Sequence, residues 1–273
     1  MGGWKDGANC AVAVSFDVDA ETLWFDDDRS AEAGPGALSQ GTYGPQVGLP
    51  LILDLLERQS LPATFFVPGW VAHMHREAIA AIHDAGHEIA HHGWLHESPA
   101  GLPREQQEEV LRKGIEALRS ITGRDPVGYR SPAWEFSGET LRLLTQYGFR
   151  YSSNMMDRFF PYVHTGADIV ELPVQWILDD APFFLFRFGR FIATAEHVYQ
   201  VWSEEFRGIY RWGGLFTLTM HPQLIGRPGR LLMLERLIGF IKGFDGVWFA
   251  TGAEVSRHCL EHGCPEAPFG FKR

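Results

Sequence analysis

Residues 11–19 read AVAVSFDVD, a short apolar run that ends in two aspartates, Asp17 and Asp19. An apolar run of this length, closed by charged residues, is typical of a buried β-strand. Similar runs follow along the chain, and they are ATFFVPG (63–69), EIAHHG (88–93), VGYRSP (127–132), FRYSSNM (149–155), IVELPVQW (169–176), GLFTLTMHP (214–222) and GVWFATG (246–252). The sequence therefore predicts about eight strands.

Segments with helical spacing lie between these runs, and residues 104–123 form the clearest of them. In that segment Leu111, Ile115 and Leu118 share one face while charged residues fill the other, as in an amphipathic helix. Strands that alternate with helices predict an α/β fold with a parallel sheet. No linker divides the pattern, so we expect a single domain over residues 1–273.

An open doubly wound sheet and a closed barrel both fit this alternation. The positions of polar side chains favour the barrel, because these side chains lie at the carboxyl ends of predicted strands. They are Asp17, Asp19, His91, His92, Arg130, Trp176 and His221. In a (β/α) barrel the carboxyl ends of the strands converge on one face, where active sites are built. We therefore expect a (β/α) barrel with its functional site on that face.

The composition restricts the classes of partner. The chain has 273 residues, a formal net charge of −10 and an isoelectric point of about 5.6. Nucleic acids and anionic membranes bind clustered Lys and Arg, so we expect neither as a partner. No stretch approaches the length and apolarity of a membrane span. A homo-oligomer is compatible with these data.

The N-terminus and the cysteines bear on the compartment. The first ten residues, MGGWKDGANC, lack the apolar core of a signal peptide. Three cysteines cannot form a full set of disulfides, which favours a reducing compartment. We therefore expect a cytoplasmic protein. Near the C-terminus, four residues of zinc-binding type have a spacing that matches no common site, namely His258, Cys259, His262 and Cys264.

The segment GHEIAHHGWLH (86–96) is rich in histidine. His92 and His96 are four residues apart, a spacing that suits two metal ligands on one turn. Two imidazoles and a carboxylate from SFDVDAE would leave open positions for water and substrate, as in catalytic metal sites. The same ligand set occurs in non-haem iron oxygenases, and a barrel without activity that serves as a binding module is a further alternative. We expect His87 at a helix end and His91 in the core or behind the ligands.

Four motifs in this order resemble those of the polysaccharide deacetylase family (carbohydrate esterase family 4), over almost the whole chain. They are the paired aspartates of SFDVD (15–19), the His-x-x-x-His of HGWLH (92–96), the Arg-x-Pro of RSPAW (130–134) and the late histidine of TMHP (219–222). The resemblance implies a distorted (β/α) barrel of seven to eight strands and metal-dependent hydrolysis of an amide. SPAWEFS, WILDD and MHPQLIGRPGR look closer to the intracellular branch with peptidoglycan deacetylase-like proteins, cyclic imidases and allantoinase-like enzymes.

The resemblance also implies roles for individual residues. Asp19, His92 and His96 would bind one divalent metal ion, which we expect to be Zn²⁺. Asp17 would be the general base, oriented by Arg130 through a charge-assisted hydrogen bond, and His221 would be the general acid.

The same resemblance extends to the residues around the substrate. The carboxylate that faces His221 would be Asp179 or Asp180, with Asp180 preferred. The backbone N–H of Ala133 would help to hold the oxyanion, and Trp134 and Trp176 would shape the substrate pocket.

We accordingly expect a metal-dependent hydrolase of non-peptide carbon–nitrogen bonds. The aromatic segment APFFLFRFGRF (181–191) follows the acidic LDD turn and predicts a lid or an oligomer contact. Apolar side chains over the barrel mouth would form a closed pocket, which favours a small cyclic imide or ureide as the substrate. The alternatives are N-deacetylation of peptidoglycan or chitooligosaccharide, and a metal-free cyclic amidase of the allantoinase-like type.

Overall fold

The computed structural model describes residues 3–25, 34–186 and 192–269. Within these ranges ten strands form one sheet. They are β1 (Cys10–Asp17), β2 (Thr64–Val67), β3 (Glu88–His91), β4 (Gly128–Tyr129), β5 (Tyr151–Ser152), β6 (Tyr162–His164), β7 (Val170–Glu171), β8 (Leu215–Met220), β9 (Val247–Phe249) and β10 (Glu266–Ala267).

The α-helices flank this sheet. They are α1 (Pro35–Tyr43), α2 (Leu49–Arg58), α3 (Gly69–Met74), α4 (Arg76–Asp84), α5 (Arg104–Thr122), α6 (Gly138–Gln146), α7 (Ala181–Phe184), α8 (Ala195–Trp212), α9 (Pro222–Ile225), α10 (Pro228–Lys242) and α11 (Gly252–His262).

The sheet curls into a distorted barrel. Its parallel strands follow the order β8-β1-β2-β3-β4-β5-β7. A single parallel bridge between Asp179 and Thr219 joins the chain beyond β7 to β8 and completes the ring. Strand β9 pairs with β1 at Cys10–Val12, on the edge that β2 occupies further along β1. The expected distorted (β/α) barrel is therefore confirmed.

Alternation of side chains along β1 divides the core into two layers. Val12, Val14 and Phe16 pack in the outer layer, between the sheet and the helices. Ala11 and Ala13 point into the barrel, where a second apolar cluster lies. Because side chains alternate between the two faces of a strand, the inward face of β1 continues towards its carboxyl end with polar residues. This places the acidic end of β1 at the barrel mouth.

Several strands are shorter than the sequence predicts. Strands β4, β5 and β7 have two residues each. After β4 the N–H of Ser131 bonds to the side chain of Asn154 instead of a neighbouring strand. The chain leaves the sheet at this point, and its backbone polar groups bond to side chains of the loops around the cavity.

One edge of the sheet departs from the predicted parallel arrangement. Strand β6 is antiparallel to β7, and β10 pairs with β6. A tight turn joins β6 to β7, with positive φ at Gly166 (81°) and Asp168 (48°). Neither β6 nor β10 was expected, because their three and two residues are too short to give a clear periodic signal.

Helix α5 has the apolar face that the sequence predicts, with Leu111, Ile115 and Leu118 buried. It ends at Gly123, which has the left-handed φ of 72° common after helices. Gly114 lets α5 approach β3 closely, because a Cβ atom at this position would overlap the His91 ring.

Candidate active site

A cavity of about 520 Å³ opens at the carboxyl ends of the barrel strands. The predicted site residues that line it are Asp17, Asp19, His92, His96, Ala133, Trp134, Trp176 and His221. Arg130 and Asp180 lie behind this lining and contact Asp17 and His221, respectively. The structure thus brings all the predicted site residues together.

Asp19 and two histidines form a group that can hold a metal ion. Nε2 of His92 lies 3.4 Å from Oδ1 of Asp19, and Nε2 of His96 lies 3.8 Å from Oδ2. Two ligand atoms each ~2.1 Å from a tetrahedral ion would be about 3.4 Å apart, so the spacing fits. Asp19 is fully buried, and neither of its oxygens has a hydrogen-bond partner among the described residues. A buried carboxylate without hydrogen bonds is unfavourable unless a cation compensates its charge.

The charge state of Asp19 agrees with this fit. Burial by itself would raise the pKa of its carboxyl group. The imidazoles of His96, His92 and His221 outweigh burial and hold the pKa below its ordinary value. Asp19 is therefore ionised, as a metal ligand must be.

The loop after β3 presents the two imidazoles. Nδ1 of His92 donates to the carbonyl of Arg130 at 2.8 Å, which directs Nε2 towards Asp19. The His-x-x-x-His spacing suggested a single turn that carries both ligands, but the segment is not a helical turn. Instead Gly93 and His96 have positive φ angles of 78° and 66°, and the two histidine rings lie 5.3 Å apart. Glu97, which the sequence did not single out, holds this loop by accepting from the N–H of Trp94 and of Leu95.

Asp17 is paired with a buried arginine. Nη1 of Arg130 donates to Oδ1 of Asp17 at 2.7 Å and to Oγ of Ser15 at 2.9 Å. The guanidinium also lies over the Phe66 ring, 4.0 Å from its centroid. Oδ2 of Asp17 points towards the metal-binding group, 3.8 Å from Nε2 of His92. One oxygen of Asp17 is therefore held while the other faces the site.

His221 is paired with Asp180 rather than with Asp179. Oδ1 of Asp180 lies 2.6 Å from Nδ1 of His221, and its Oδ2 accepts the His221 N–H at 3.1 Å. Oδ1 of Asp179 lies 3.8 Å from Nδ1 and accepts from the N–H of Ala181. These three residues could themselves hold a cation, but Asp180 already uses both of its oxygens on His221.

The pair sets the protonation of His221. Burial would lower the pKa of the imidazole, but the carboxylates of Asp180 and Asp179 raise it well above its ordinary value. Nε2 of this charged ring lies 3.5 Å from Oδ2 of Asp19. A proton donor is thus held at the edge of the metal-binding group.

The turn after Arg130 forms one wall of the cavity. Ala133 and Trp134 have positive φ angles of 53° and 61°, which are uncommon for residues with side chains. The N–H of Trp134 donates to the carbonyl of Ser131 within this turn. The Trp134 ring stacks on Trp176 with centroids 4.1 Å apart, and Trp176 is 46% exposed. Trp176 thus presents an aromatic face at the mouth, with the buried Trp134 ring behind it.

His91 belongs to the core, as expected. Its Nε2 donates to the carbonyl of Leu111, and its Nδ1 accepts from the N–H of Gly93, both at 3.1 Å. Burial lowers the pKa of His91 to about 3, so the ring is neutral. His87 packs against Phe65, with ring centroids 5.5 Å apart.

Two further features singled out in the sequence are the C-terminal His/Cys cluster and the aromatic segment 181–191. Among the described residues the C-terminal His/Cys cluster forms no group that could hold a metal ion, and the rings of His258 and His262 stack instead. In the segment 181–191, Pro182 and Leu185 line the cavity, and residues 187–191 lie outside the described residues. The segment thus contributes apolar lining, while its expected role as a lid or oligomer contact stays a prediction.

Comparison with known proteins identifies the family. The family model for polysaccharide deacetylase matches residues 40–152. A peptidoglycan deacetylase from Helicobacter pylori is 34% identical, over 92% of this chain and 96% of that protein. The chain belongs to the polysaccharide deacetylase family. It is a hydrolase that acts on carbon–nitrogen bonds, as the sequence motifs predicted.

Solved structures agree with this family. A structure from Mycobacterium smegmatis, assigned to the polysaccharide deacetylases, has 40% identity and a TM-score of 0.93, over 99% of this chain and 97% of that one. The Puue allantoinase structure has a TM-score of 0.83 at 22% identity, over 94% and 93% of the two chains, which shows a shared fold. In the described part of this polysaccharide deacetylase-family chain, we find no helix with the length and apolar character needed to cross a bilayer.

Proposed function

We propose that this protein is a zinc-dependent hydrolase of a small amide, with a cyclic imide or ureide as the favoured substrate. The observation that carries the proposal is the buried Asp19, whose oxygens have no hydrogen-bond partner among the described residues and face the Nε2 atoms of two histidines. Thiolates are absent from this group, and Zn²⁺ with two imidazoles and one carboxylate is a common catalytic arrangement. Such a site keeps positions for water and substrate.

A divalent ion held by Asp19, His92 and His96 would polarise the amide carbonyl and make the attacking water more acidic. Asp17 accepts the proton of that water on Oδ2, since Oδ1 is engaged by Arg130. The N–H of Ala133 donates to the oxygen of the tetrahedral intermediate, from a turn that faces the cavity. His221 delivers a proton from Nε2 to the leaving nitrogen.

The two proton-transfer groups have separate partners. The cationic Arg130 holds Oδ1 of Asp17 and leaves Oδ2 to accept a proton. The pair with Asp180 keeps His221 protonated, because the pKa of the imidazole is raised well above its ordinary value. An acid and a base with separate environments can therefore act at one pH.

The dimensions and lining of the cavity support a small substrate. Its volume of about 520 Å³ is within the range of small-molecule sites. Leu23, Pro182 and Leu185 line it together with the charged groups. Apolar walls around a few convergent polar groups suit a compact ring with one reacting amide.

A second candidate is the N-deacetylation of an amino sugar in peptidoglycan or a chitooligosaccharide. The identity of 34% to the Helicobacter pylori peptidoglycan deacetylase over nearly the whole chain supports it. The exposed Trp176, stacked on the buried Trp134 ring, also offers an aromatic face on which a sugar ring could pack. A metal-free cyclic amidase is a third candidate, to which the structural objection is the buried Asp19, whose oxygens have no hydrogen-bond partner among the described residues.

The test compares kcat/KM for small cyclic imides and ureides with kcat/KM for N-acetylated sugar oligomers. Each substrate is measured with the zinc-loaded protein and with chelator-treated protein. We expect a preference for the cyclic amides and loss of activity with the chelator. A rate that rises with oligosaccharide length would favour the deacetylase, and full activity after chelation would favour the metal-free enzyme.

A further inference from the structure

Two titratable side chains that the mechanism does not use are fully buried at the edge of the barrel. His164 on β6 and Glu171 on β7 are both 0% exposed, and Nε2 of His164 lies 2.8 Å from Oε2 of Glu171. Oε1 of Glu171 accepts from two successive backbone N–H groups, at 2.5 Å from Asn154 and 2.8 Å from Met155. A buried carboxylate persists only when such bonds compensate the loss of water. The two backbone donors belong to the short loop 153–155, which follows β5.

That loop contacts the chain at the Arg-x-Pro motif. The carbonyl of Ser153 accepts from Nε of Arg130 at 3.3 Å, and its hydroxyl accepts from Nη2 at 2.9 Å. Oδ1 of Asn154 accepts from the N–H of Ser131 at 2.7 Å. The loop that Glu171 fixes therefore presents three acceptors to the dipeptide Arg130–Ser131.

Arg130 in turn positions two groups of the active site. Its guanidinium donates to Oδ1 of Asp17, and its carbonyl accepts from Nδ1 of His92. Ser131 begins the turn that carries Ala133, where its Oγ donates to the carbonyl of Glu135. A displacement of the loop 153–155 would thus reach the proposed base, one proposed ligand and the proposed oxyanion donor together.

We propose that Glu171 and His164 form a positioning pair for the active site, acting through the loop 153–155 on Arg130 and Ser131. This inference rests on the proposed function for its catalytic consequence, but the geometry that it describes can be tested without turnover. Neither residue lines the cavity, so both act through other residues.

The chain offers a matched control for this pair. Glu88, at the start of β3 and remote from the cavity lining, also accepts three hydrogen bonds, from Thr64, Tyr151 and the N–H of Ala253. Replacement of Glu88 or Glu171 by alanine removes three such bonds in either case. The Glu171 bonds hold the loop 153–155 that contacts Arg130, whereas the Glu88 bonds are to Thr64, Tyr151 and Ala253, so Glu171→Ala is expected to alter the site more than Glu88→Ala.

The kinetic test compares Glu171→Ala and Glu171→Gln with Glu88→Ala, each below its own unfolding temperature. We expect Glu171→Ala to lower kcat by roughly 10–100-fold with little change in KM, because small displacements of reacting groups are costly. Glu171→Gln keeps an oxygen for the two backbone N–H groups and should restore most of kcat. Glu88→Ala should lower the melting temperature while kcat stays near that of the wild type.

A second measurement uses ¹⁵N-histidine NMR without added metal. The Nδ1 resonance of His92 reports its hydrogen bond to the Arg130 carbonyl, and it should shift in Glu171→Ala but not in Glu88→Ala. A wild-type protein that hydrolyses no amide would refute the proposed function, while this resonance would still decide the positioning role.

The pair would be merely structural if folded Glu171→Ala kept both the wild-type kcat and the His92 resonance. It would also be structural if Glu171→Ala and Glu88→Ala lost kcat in proportion to their loss of stability. If Glu171→Ala does not fold, Asn154→Ala gives the same comparison, since it removes the acceptor for the Ser131 N–H together with the bond from the Asn154 amide to the Ser152 hydroxyl. An unchanged His92 resonance and kcat in Asn154→Ala would then overturn the proposal.

Discussion

Asp17 and Asp19 are two residues of one type, and their neighbours give them different environments. Asp17 has one oxygen bound by the guanidinium of Arg130. Asp19 has no hydrogen-bond partner among the described residues, and imidazole nitrogens surround it at 3.4–3.8 Å. A carboxylate that already bonds to a cationic side chain is suited to proton transfer, whereas one without partners is suited to a metal. At the residue scale, contacts rather than residue type divide the proposed roles.

The first prediction concerns the ligands. His92→Ala should abolish stoichiometric zinc binding, because it removes an imidazole that faces Asp19. His91→Ala should retain one zinc ion per chain, since the His91 ring bonds to the Leu111 carbonyl and faces the core. Elemental analysis after purification without chelator measures both. Loss of zinc in His91→Ala alone would show that the wrong neighbour was chosen.

The second prediction concerns the two aspartates after β7. Asp180→Asn should lower kcat by roughly 10²-fold, because His221 loses the carboxylate that favours its protonated form. Asp179→Asn should have a smaller effect, since its oxygen lies 3.8 Å from the same nitrogen. Steady-state kinetics at neutral pH, with zinc content as the control for an intact site, compares the two variants. Equal losses in the two variants would contradict the assignment of Asp180.

At the scale of elements, the contact of α5 with β3 depends on a single missing side chain. Gly114 is buried in the middle of α5, and a Cβ atom there would overlap the imidazole of His91. The hydrogen bond from His91 to the Leu111 carbonyl crosses the same contact. Because His91 directly precedes His92, the packing of α5 bears on the position of a proposed ligand.

The third prediction follows from that contact. Gly114→Ala should destabilise the fold by about 1–3 kcal/mol, because overpacking outweighs the better helix propensity of alanine. The control is Gly208→Ala in α8, where the new methyl group meets nothing within 4 Å. That variant should be more stable by about 0.5–1 kcal/mol. Urea denaturation gives both values, and similar effects at the two glycines would refute the packing argument.

At the scale of the whole molecule, a partly buried glutamate ties the barrel together at the end remote from the site. Glu88 accepts from Thr64 on β2, from Tyr151 on β5 and from the N–H of Ala253 in α11. Burial, with a smaller contribution from the negative charge of Glu254, raises the pKa of Glu88 above its ordinary value of 4.5. The carboxylate is therefore less stable in the folded state than in the unfolded one.

The fourth prediction is the pH dependence that results. The folded state holds the Glu88 proton more tightly, so this group lowers the free energy of unfolding as pH rises from 4.5 through its folded pKa. Below pH 4.5 the penalty is absent. Glu88→Gln should therefore gain stability relative to the wild type between acidic and neutral pH, as urea denaturation at a series of pH values would measure. A constant difference across that range would contradict the raised pKa.

Much of the barrel could be predicted from the sequence, because long periodic segments carry a strong signal. The apolar face of α5 and the alternation of strands and helices are found as expected. Strands β6 and β10, with three and two residues, were too short to give such a signal. The His-x-x-x-His motif identified two residues that lie close together, but it did not reveal that a loop with positive φ brings them there.

By itself the sequence determined the α/β class, the family and the set of polar residues at the strand ends. These properties could be predicted because periodicity and motif spacing depend on residues that are near one another in the sequence. Only the tertiary structure decided that Asp180 and not Asp179 bonds to His221, and that Glu171 reaches Arg130 through the loop 153–155. Asp180 and His221 are 41 positions apart, and the hydrogen bond between them depends on how separate strands close into a ring. The spacing of residues in the sequence does not determine how the strands close.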